Sequence, residues 1–274
     1  MMLRCRNSKM LKARIITALA LLAGFLCVLF LLPKPVVAVV FALVAALMAW
    51  EWGGLMHIDR DGRFLFVGFI LISCLTAYNQ ADFAYPKLWW LSALFWLLLV
   101  PLWLCRRWRM SSNDMAGYAA GWILIVPTWA AMVSLHDRNP WLLFGAMALV
   151  WVADIAAYFA GRAWGRHKLA PAISPGKTWE GVVGAVTGVL VYGAAAAMVA
   201  RYSPPGKLSW ALLLVALTAV SIVGDLFESM VKRQADVKDS GNLLPGHGGL
   251  LDRLDSQTST LPLAALILAW LQAS

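Results

Sequence analysis

The sequence predicts an all-α fold: a polytopic membrane protein of about nine transmembrane helices with a cytoplasmic N-terminus. Three observations predict it. Of 274 residues, 61% are hydrophobic and only 14% charged, so a soluble fold would leave too little polar surface to face water, whereas lipid accepts such a chain. The apolar residues fall into successive stretches of roughly 16 to 23 residues, close to the ~20 that cross the hydrocarbon core. Eighteen of the 23 Lys and Arg lie in alternate loops, which keeps those loops in the cytoplasm.

The stretches cover residues 15–32, 36–56, 64–79, 88–104, 116–135, 141–160, 179–200, 209–231 and 258–273. Arg4, Arg6, Lys9, Lys12 and Arg14 precede the first and superficially resemble the basic start of a secretory signal. That run is too long for a signal and ends at Pro33-Lys34-Pro35 without a small-x-small cleavage site, so it reads as an uncleaved first helix. With the N-terminus inside, segments 1–14, 57–63, 105–115, 161–178 and 232–257 are cytoplasmic. Only Lys34, Lys87, Arg138, Arg201 and Lys207 lie on the opposite side. The third and ninth stretches are short enough to be re-entrant or to thin the bilayer locally.

The formal charge of +9 raises nucleic acid as a partner, but the charges sit in short loops between apolar segments, and no basic helix or basic-aromatic face exists to grip a phosphate backbone. Cys5, Cys27, Cys74 and Cys105 are scattered, without a CxxC pair or a nearby histidine, which indicates neither a disulfide framework nor a zinc site. One membrane domain, 1–274, is the economical reading. Within it residues 1–140 show only a hydrophobic pattern, and residues 141–274 carry the two longest polar loops, 161–178 and 232–257, both on the cytoplasmic face.

Glu51, Asp154, Asp225 and Glu228 lie inside apolar stretches, where a carboxylate is costly unless paired or wet. All fall one to two turns before the predicted cytoplasmic ends of their helices and can line one shallow, water-accessible cavity. Asp225, Glu228, Ser229 and Lys232 project from one helix face by their spacing. A lone intramembrane acid commonly salt-bridges a neighbouring helix. Here a second acidic pair, Asp252 and Asp255, follows a glycine-rich turn just ahead of the ninth stretch and favours a functional cluster. Glu51, beside Trp52, Gly53 and Gly54, reads as a solvated structural acid at the interface.

The triplet Gly176-Lys177-Thr178 resembles the end of a P-loop, but the glycine required five residues earlier is Pro171, and the flanks are membrane helices instead of a strand. Ser174 reads instead as an N-cap, Pro175 as the first helical residue and Lys177 as part of the first turn, a ready anion site. The stretch Ser229 to Asp255 contains Lys232-Arg233, Lys238-Asp239, Pro245-Gly246-His247-Gly248-Gly249 and Asp252-Arg253-Leu254-Asp255. Glycines let a backbone approach a ligand, basic side chains neutralise phosphate and aspartates hold a divalent ion, so these are the parts of a magnesium-nucleotide site. A lone histidine near a turn more often hydrogen-bonds than transfers a proton, so His247 reads as a substrate contact.

This run of elements resembles the signature of the phosphatidate cytidylyltransferases (CDP-diacylglycerol synthases). Upstream, Asp154, Ala157-Tyr158, Gly161-Arg162, Gly165 and Ser174 to Gly181 also resemble that family, so the likeness covers about residues 150–260. It departs at Ile155-Ala156, where a small polar pair is expected. The resemblance implies a homodimeric protein of the inner membrane with its active site facing the cytoplasm and open to the lipid bilayer, and CTP and phosphatidic acid as substrates. It further implies Mg2+, as one ion or two, held by Asp225 and Asp252 with Asp255, Glu228 and Asp154 around them. Asp225, Asp252, Lys232 and Arg253 would be catalytic, and Lys177, Arg233 and Lys238 would serve the phosphates. Ser174, Thr178, Ser229, Asp239, His247, Gly248 and Gly249 would complete the substrate site.

The expected chemistry is transfer of CMP from CTP to phosphatidic acid, giving CDP-diacylglycerol and pyrophosphate by in-line attack of an already ionised lipid phosphate on the α-phosphorus. No covalent intermediate is needed. Two other readings use the same residues. An ion-coupled transporter would employ Asp154, Asp225 and Glu228 as a relay but leaves the glycine-rich loop unexplained. A CTP-dependent lipid kinase would transfer the γ-phosphate.

Overall fold

In the computed structural model, residues 22–109, 115–201, 206–243 and 248–273 are described. The chain forms helices α1 (Leu22–Leu31), α2 (Lys34–Leu55), α3 (Arg60–Asn79), α4 (Ala81–Leu94), α5 (Val100–Arg106), α6 (Met115–Arg138), α7 (Pro140–Trp164), α8 (Trp179–Val199), α9 (Lys207–Gln234) and α10 (Leu251–Ala273). Between α7 and α8 lies a hairpin of β1 (Lys168–Ala170) and β2 (Ser174–Thr178). A π-helical turn, Phe95–Leu99, joins α4 to α5.

Among the described residues, seven helices are long and apolar enough to cross a membrane, with α4, the π turn and α5 counting as one of 26 residues. Helix α1 is described over ten residues only, its predicted start lying outside the described residues. Helix α10 is long, but its first half is polar. The sequence reads its span as 258–273; the helix instead starts at Leu251 and carries Asp252, Arg253 and Asp255 in its first turns. Ser256, Gln257, Thr258, Ser259 and Thr260 are all buried. The physical reason is position: α10 packs on α2, α4, α6, α7 and α9, so protein, not lipid, surrounds its polar first half. Its hydroxyls meet backbone carbonyls, Thr258 Oγ1 donating to Asp255 O at 2.6 Å and Ser259 Oγ to Val220 O at 3.0 Å, which removes the penalty of burying them.

Helices α7 and α8 approach closely because α8 offers glycines at the contact. A Cβ at Gly184 would collide with the Ala160 methyl and stand 3.0 Å from Ala156 O, and one at Gly188 would stand 2.6 Å from the Ala156 methyl. On α9, Phe227 is fully buried among Phe95, Trp96 and Trp103, with ring centroids 5.6 to 5.8 Å apart, so the π turn and α5 brace the face of α9.

The hairpin corrects the reading of the first polar loop. Ser174 is not an N-cap, nor does Pro175 open a helix: both belong to β2, where Ala170 pairs with Ser174 and Lys168 with Thr178. Helix α8 starts at Trp179, and its N-cap is Thr178, whose hydroxyl accepts from the Gly181 amide at 3.2 Å. The hairpin wins because Trp179 N donates to His167 O at 2.9 Å and Glu180 accepts from the His167 ring at 2.7 Å, tying the strand ends together. Thr178→Ala should therefore lower the thermal midpoint of the detergent-purified protein, by about 1 kcal/mol of stability, the usual cost of a lost cap.

Candidate active site

The site is assembled from three segments that meet near the C-terminal end of α9, with α7 adding Asp154 beside them. The first is the polar stripe of α9 itself: Asp225, Glu228, Ser229 and Lys232 at helical spacing. Close approach of α10 is possible there because residue 224 is glycine, where a Cβ would meet the Ser259 hydroxyl and stand 3.1 Å from Asp255 O. The second segment is β2, which carries Lys177 to α9. Lys177 Nζ lies 2.6 Å from Asp225 Oδ2, and Ser229 Oγ donates to Asp225 Oδ1 at 3.2 Å.

The third segment is the loop after α9 and the start of α10. Lys232 Nζ sits 2.6 Å from Asp252 Oδ1 and 3.2 Å from Glu228 Oε1, so one ammonium bridges the two helices. Asp252 Oδ2 accepts from the Gly249 amide at 2.8 Å, the Ser240 amide at 2.9 Å and the Ser240 hydroxyl at 3.1 Å. Asp252 lies in the polar first turn of α10, ahead of the helix's apolar part. Burial pushes it toward the neutral form, but the Lys232 ammonium and the Gly249 and Ser240 amides outweigh that and hold its carboxyl below its ordinary range. Gly248 takes φ +80° beside it, where a Cβ would stand 2.9 Å from Asp252 Oδ2, so both backbone and space demand glycine.

Five predicted acids are thus brought together. Asp154 on α7 and Asp225 lie within electrostatic reach of each other and of Asp255, and Glu228 lies within reach of Asp255 and Asp252. Asp154 is exposed although it stands mid-helix, and Lys177 and Asp225 are part-exposed, so this end of the cluster opens outward while Glu228 is closed in. Asp252, read as a loop residue, is oriented by the helix that contains it; Lys232 and Arg233 likewise belong to the last turn of α9, where positive charge suits the helix dipole. Around the rim, Arg233, Lys238, Asp239 and Arg253 are exposed, with Arg233 Nη1 donating to Val237 O at 3.2 Å. His247, with Pro245 and Gly246, lies outside the described residues.

Two residues went unassigned in the sequence. Glu51 is buried, not solvated: it accepts from Leu250 N at 2.9 Å, Leu251 N at 2.8 Å and Ser240 Oγ at 2.9 Å. Ser240 touches both Glu51 and Asp252. An acid beside two glycines at a helix end was the available signal, and nothing local distinguishes such an acid from a solvated one. A cavity of about 250 Å3 opens beside this loop, lined by Gly54, His57, Val237, Asp239, Ser240 and Asn242.

The donor chemistry of this cluster suits a hard divalent cation: all five acids offer oxygen, and the buried Glu228 carboxylate meets only the Lys232 ammonium, on Oε1, among the described residues. In this arrangement, however, lysines close Asp225 and Asp252, and no three acids among the described residues form a ready cage.

Helices of membrane length enclosing lysine-paired carboxylates define a polytopic membrane protein with a polar site inside its helix bundle. The chain belongs to the cytidylyltransferase family, whose model matches residues 12–271. It is 41% identical over 279 residues to the phosphatidate cytidylyltransferase of Pseudomonas aeruginosa, covering 94% of this chain and 97% of that protein. It is 37% identical to the phosphatidate cytidylyltransferase of Haemophilus influenzae, over 92% and 96% of the two chains. The enzyme of that name from Brucella melitensis is 38% identical over 80% of this chain and 72% of its own.

Proposed function

We propose that this chain joins the CMP part of CTP to phosphatidic acid, making CDP-diacylglycerol and pyrophosphate at the cytoplasmic side of the inner membrane. The observation that carries the reading is the meeting of two lysines from separate segments with two aspartates, each at 2.6 Å, in a protein of this family. An oxygen of the lipid phosphate forms the new bond to the α-phosphorus as the bond to pyrophosphate breaks, and negative charge accumulates on all three phosphates. Lys177 and Lys232 are the groups closest to supply positive charge there, and each would exchange an aspartate for a phosphate oxygen. Arg233, Lys238 and Arg253 at the exposed rim would receive the leaving pyrophosphate. Asp225 and Asp252, freed from their lysines, would hold Mg2+, with Glu228, Asp255 and Asp154 balancing a second ion if one binds. The ion supplies charge neutralisation across the phosphates. Asp154 lies at the open end of the cluster, the side from which a lipid head group can enter without leaving the bilayer. Assembly as a homodimer belongs to the same proposal.

The test is direct. Purified chain, phosphatidic acid, Mg2+ and CTP labelled at either the α- or the γ-phosphorus are mixed and the lipid is extracted. Label from the α position enters lipid and label from the γ position does not. Entry of γ label alone would make the chain a lipid kinase and end the proposal.

A further inference from the structure

We propose that Glu51, far from the site in sequence, is a positioning residue that holds Asp252 and the start of α10 in register for CMP transfer, an inference that rests on the function proposed above. Glu51 is 6% exposed and lies near the end of α2. Both its oxygens are taken by protein donors: Leu250 N on Oε1, and Leu251 N with the Ser240 hydroxyl on Oε2. Leu250 N and Leu251 N are amides at the start of α10, of the kind a helix leaves unpaired and a Ser, Thr, Asp or Asn at the N-cap ordinarily satisfies. The residues before α10 are Gly248, Gly249 and Leu250, none of which has a polar side chain. A carboxylate about two hundred positions away in sequence does the capping instead. Its negative charge also faces the positive end of the α10 dipole.

Asp252 follows directly. Its Oδ2 shares the Ser240 hydroxyl with Glu51 Oε2, at 3.1 and 2.9 Å, and that hydroxyl has one proton to give. Ser240 therefore couples the two carboxylates. Gly249 lies where a Cβ would strike both the Ser240 hydroxyl and the Glu51 carboxylate, so the backbone comes as near as glycine allows. Burying a carboxylate is costly where an apolar side chain could pack, and here the charge meets three donors from the segment that presents Asp252. The N-terminal half of the chain thereby supplies a part of the site.

The full-length purified protein tests this through Glu51→Gln, Glu51→Asp, Ser240→Ala and the Glu51→Gln/Ser240→Ala double variant. Glu51→Gln should lower kcat by about ten- to a hundredfold, the usual effect of losing a group that orients a site residue. KM for CTP and for phosphatidic acid should stay within about threefold, because the loss falls on the reacting geometry. Glu51→Asp keeps the charge and should recover part of the rate. The double variant should lose less than the product of its parents, since both act on one residue. Hydrogen exchange at residues 249–252 should be at least about tenfold faster in Glu51→Gln. A folded Glu51→Gln with kcat within twofold of the parent, or with unchanged exchange, overturns the proposal. Should Glu51→Gln fail to fold, a Glu51→Asp/Ser240→Ala double variant whose loss is the product of its parents' losses, with unchanged exchange, overturns it equally. If the parent chain itself puts no α label into lipid, the proposed reaction fails, and the exchange comparison still decides whether Glu51 holds the loop.

Discussion

Asp252→Asn and Asp225→Asn should each abolish most turnover, by about a hundredfold or more, in a protein that still inserts and folds. The two act differently. Asp252 receives the Gly249 and Ser240 amides and a share of the Ser240 hydroxyl on Oδ2, and the Lys232 ammonium on Oδ1. An asparagine carboxamide has one acceptor and one donor end, so whichever way it turns, its NH2 faces either the ammonium or the Gly249 and Ser240 amides. Asp225 has a milder setting, with Lys177 on one oxygen and a rotatable Ser229 hydroxyl on the other. Asparagine fits there with little strain but no longer balances Lys177. Folding survives because Lys232 keeps Glu228 as its ion-pair partner, Lys177 is part-exposed, and the apolar contacts of α9 and α10 are untouched. The measurement is CMP transfer at saturating CTP beside circular dichroism and size-exclusion profiles. Extra CTP should not restore the rate, because the missing charge acts on bound phosphates. Near-normal rates in both variants would remove these aspartates from the chemistry.

Lys232→Met should be the most destabilising single change at the site. Lys232 is 12% exposed and is the ion-pair partner of two carboxylates, Glu228 at 2% and Asp252 at 5% exposure. Methionine fills the same volume yet leaves both acids uncompensated, a situation that costs about 3–5 kcal/mol. Glu228 suffers more, since Lys232 is the one partner its carboxylate has among the described residues. Adding Glu228→Gln to Lys232→Met should therefore recover a large part of the lost stability, while activity stays low. Thermal unfolding of the four proteins in one detergent closes the cycle. A Lys232→Met protein as stable as its parent would mean that the pair is solvated and contributes little.

Much of this was legible in the chain. Apolar length and the alternation of basic loops determined a bundle of membrane helices, because lipid leaves a backbone no other way to satisfy its amides over such stretches. The stripe Asp225, Glu228, Ser229 and Lys232 was readable because helical spacing is local, and the family resemblance followed from residues 150–260. What local patterns could not decide were competitions settled by contacts distant in sequence. Ser174-Pro175 has the composition of a helix start, yet it pairs as a strand because His167 and Glu180 close the hairpin around it. The polar first half of α10 looks like a loop, yet it is helical because the helices around it absorb its hydroxyls. Which lysine meets which aspartate, and that Glu51 caps a helix two hundred residues onward, depends on how separate helices dock. The sequence by itself determined the membrane architecture and the kinds of group available to the chemistry, because hydrophobic length and residue type act locally. Tertiary structure alone decided their pairing, because an ion pair or a remote cap exists only once the segments that carry its two ends have packed.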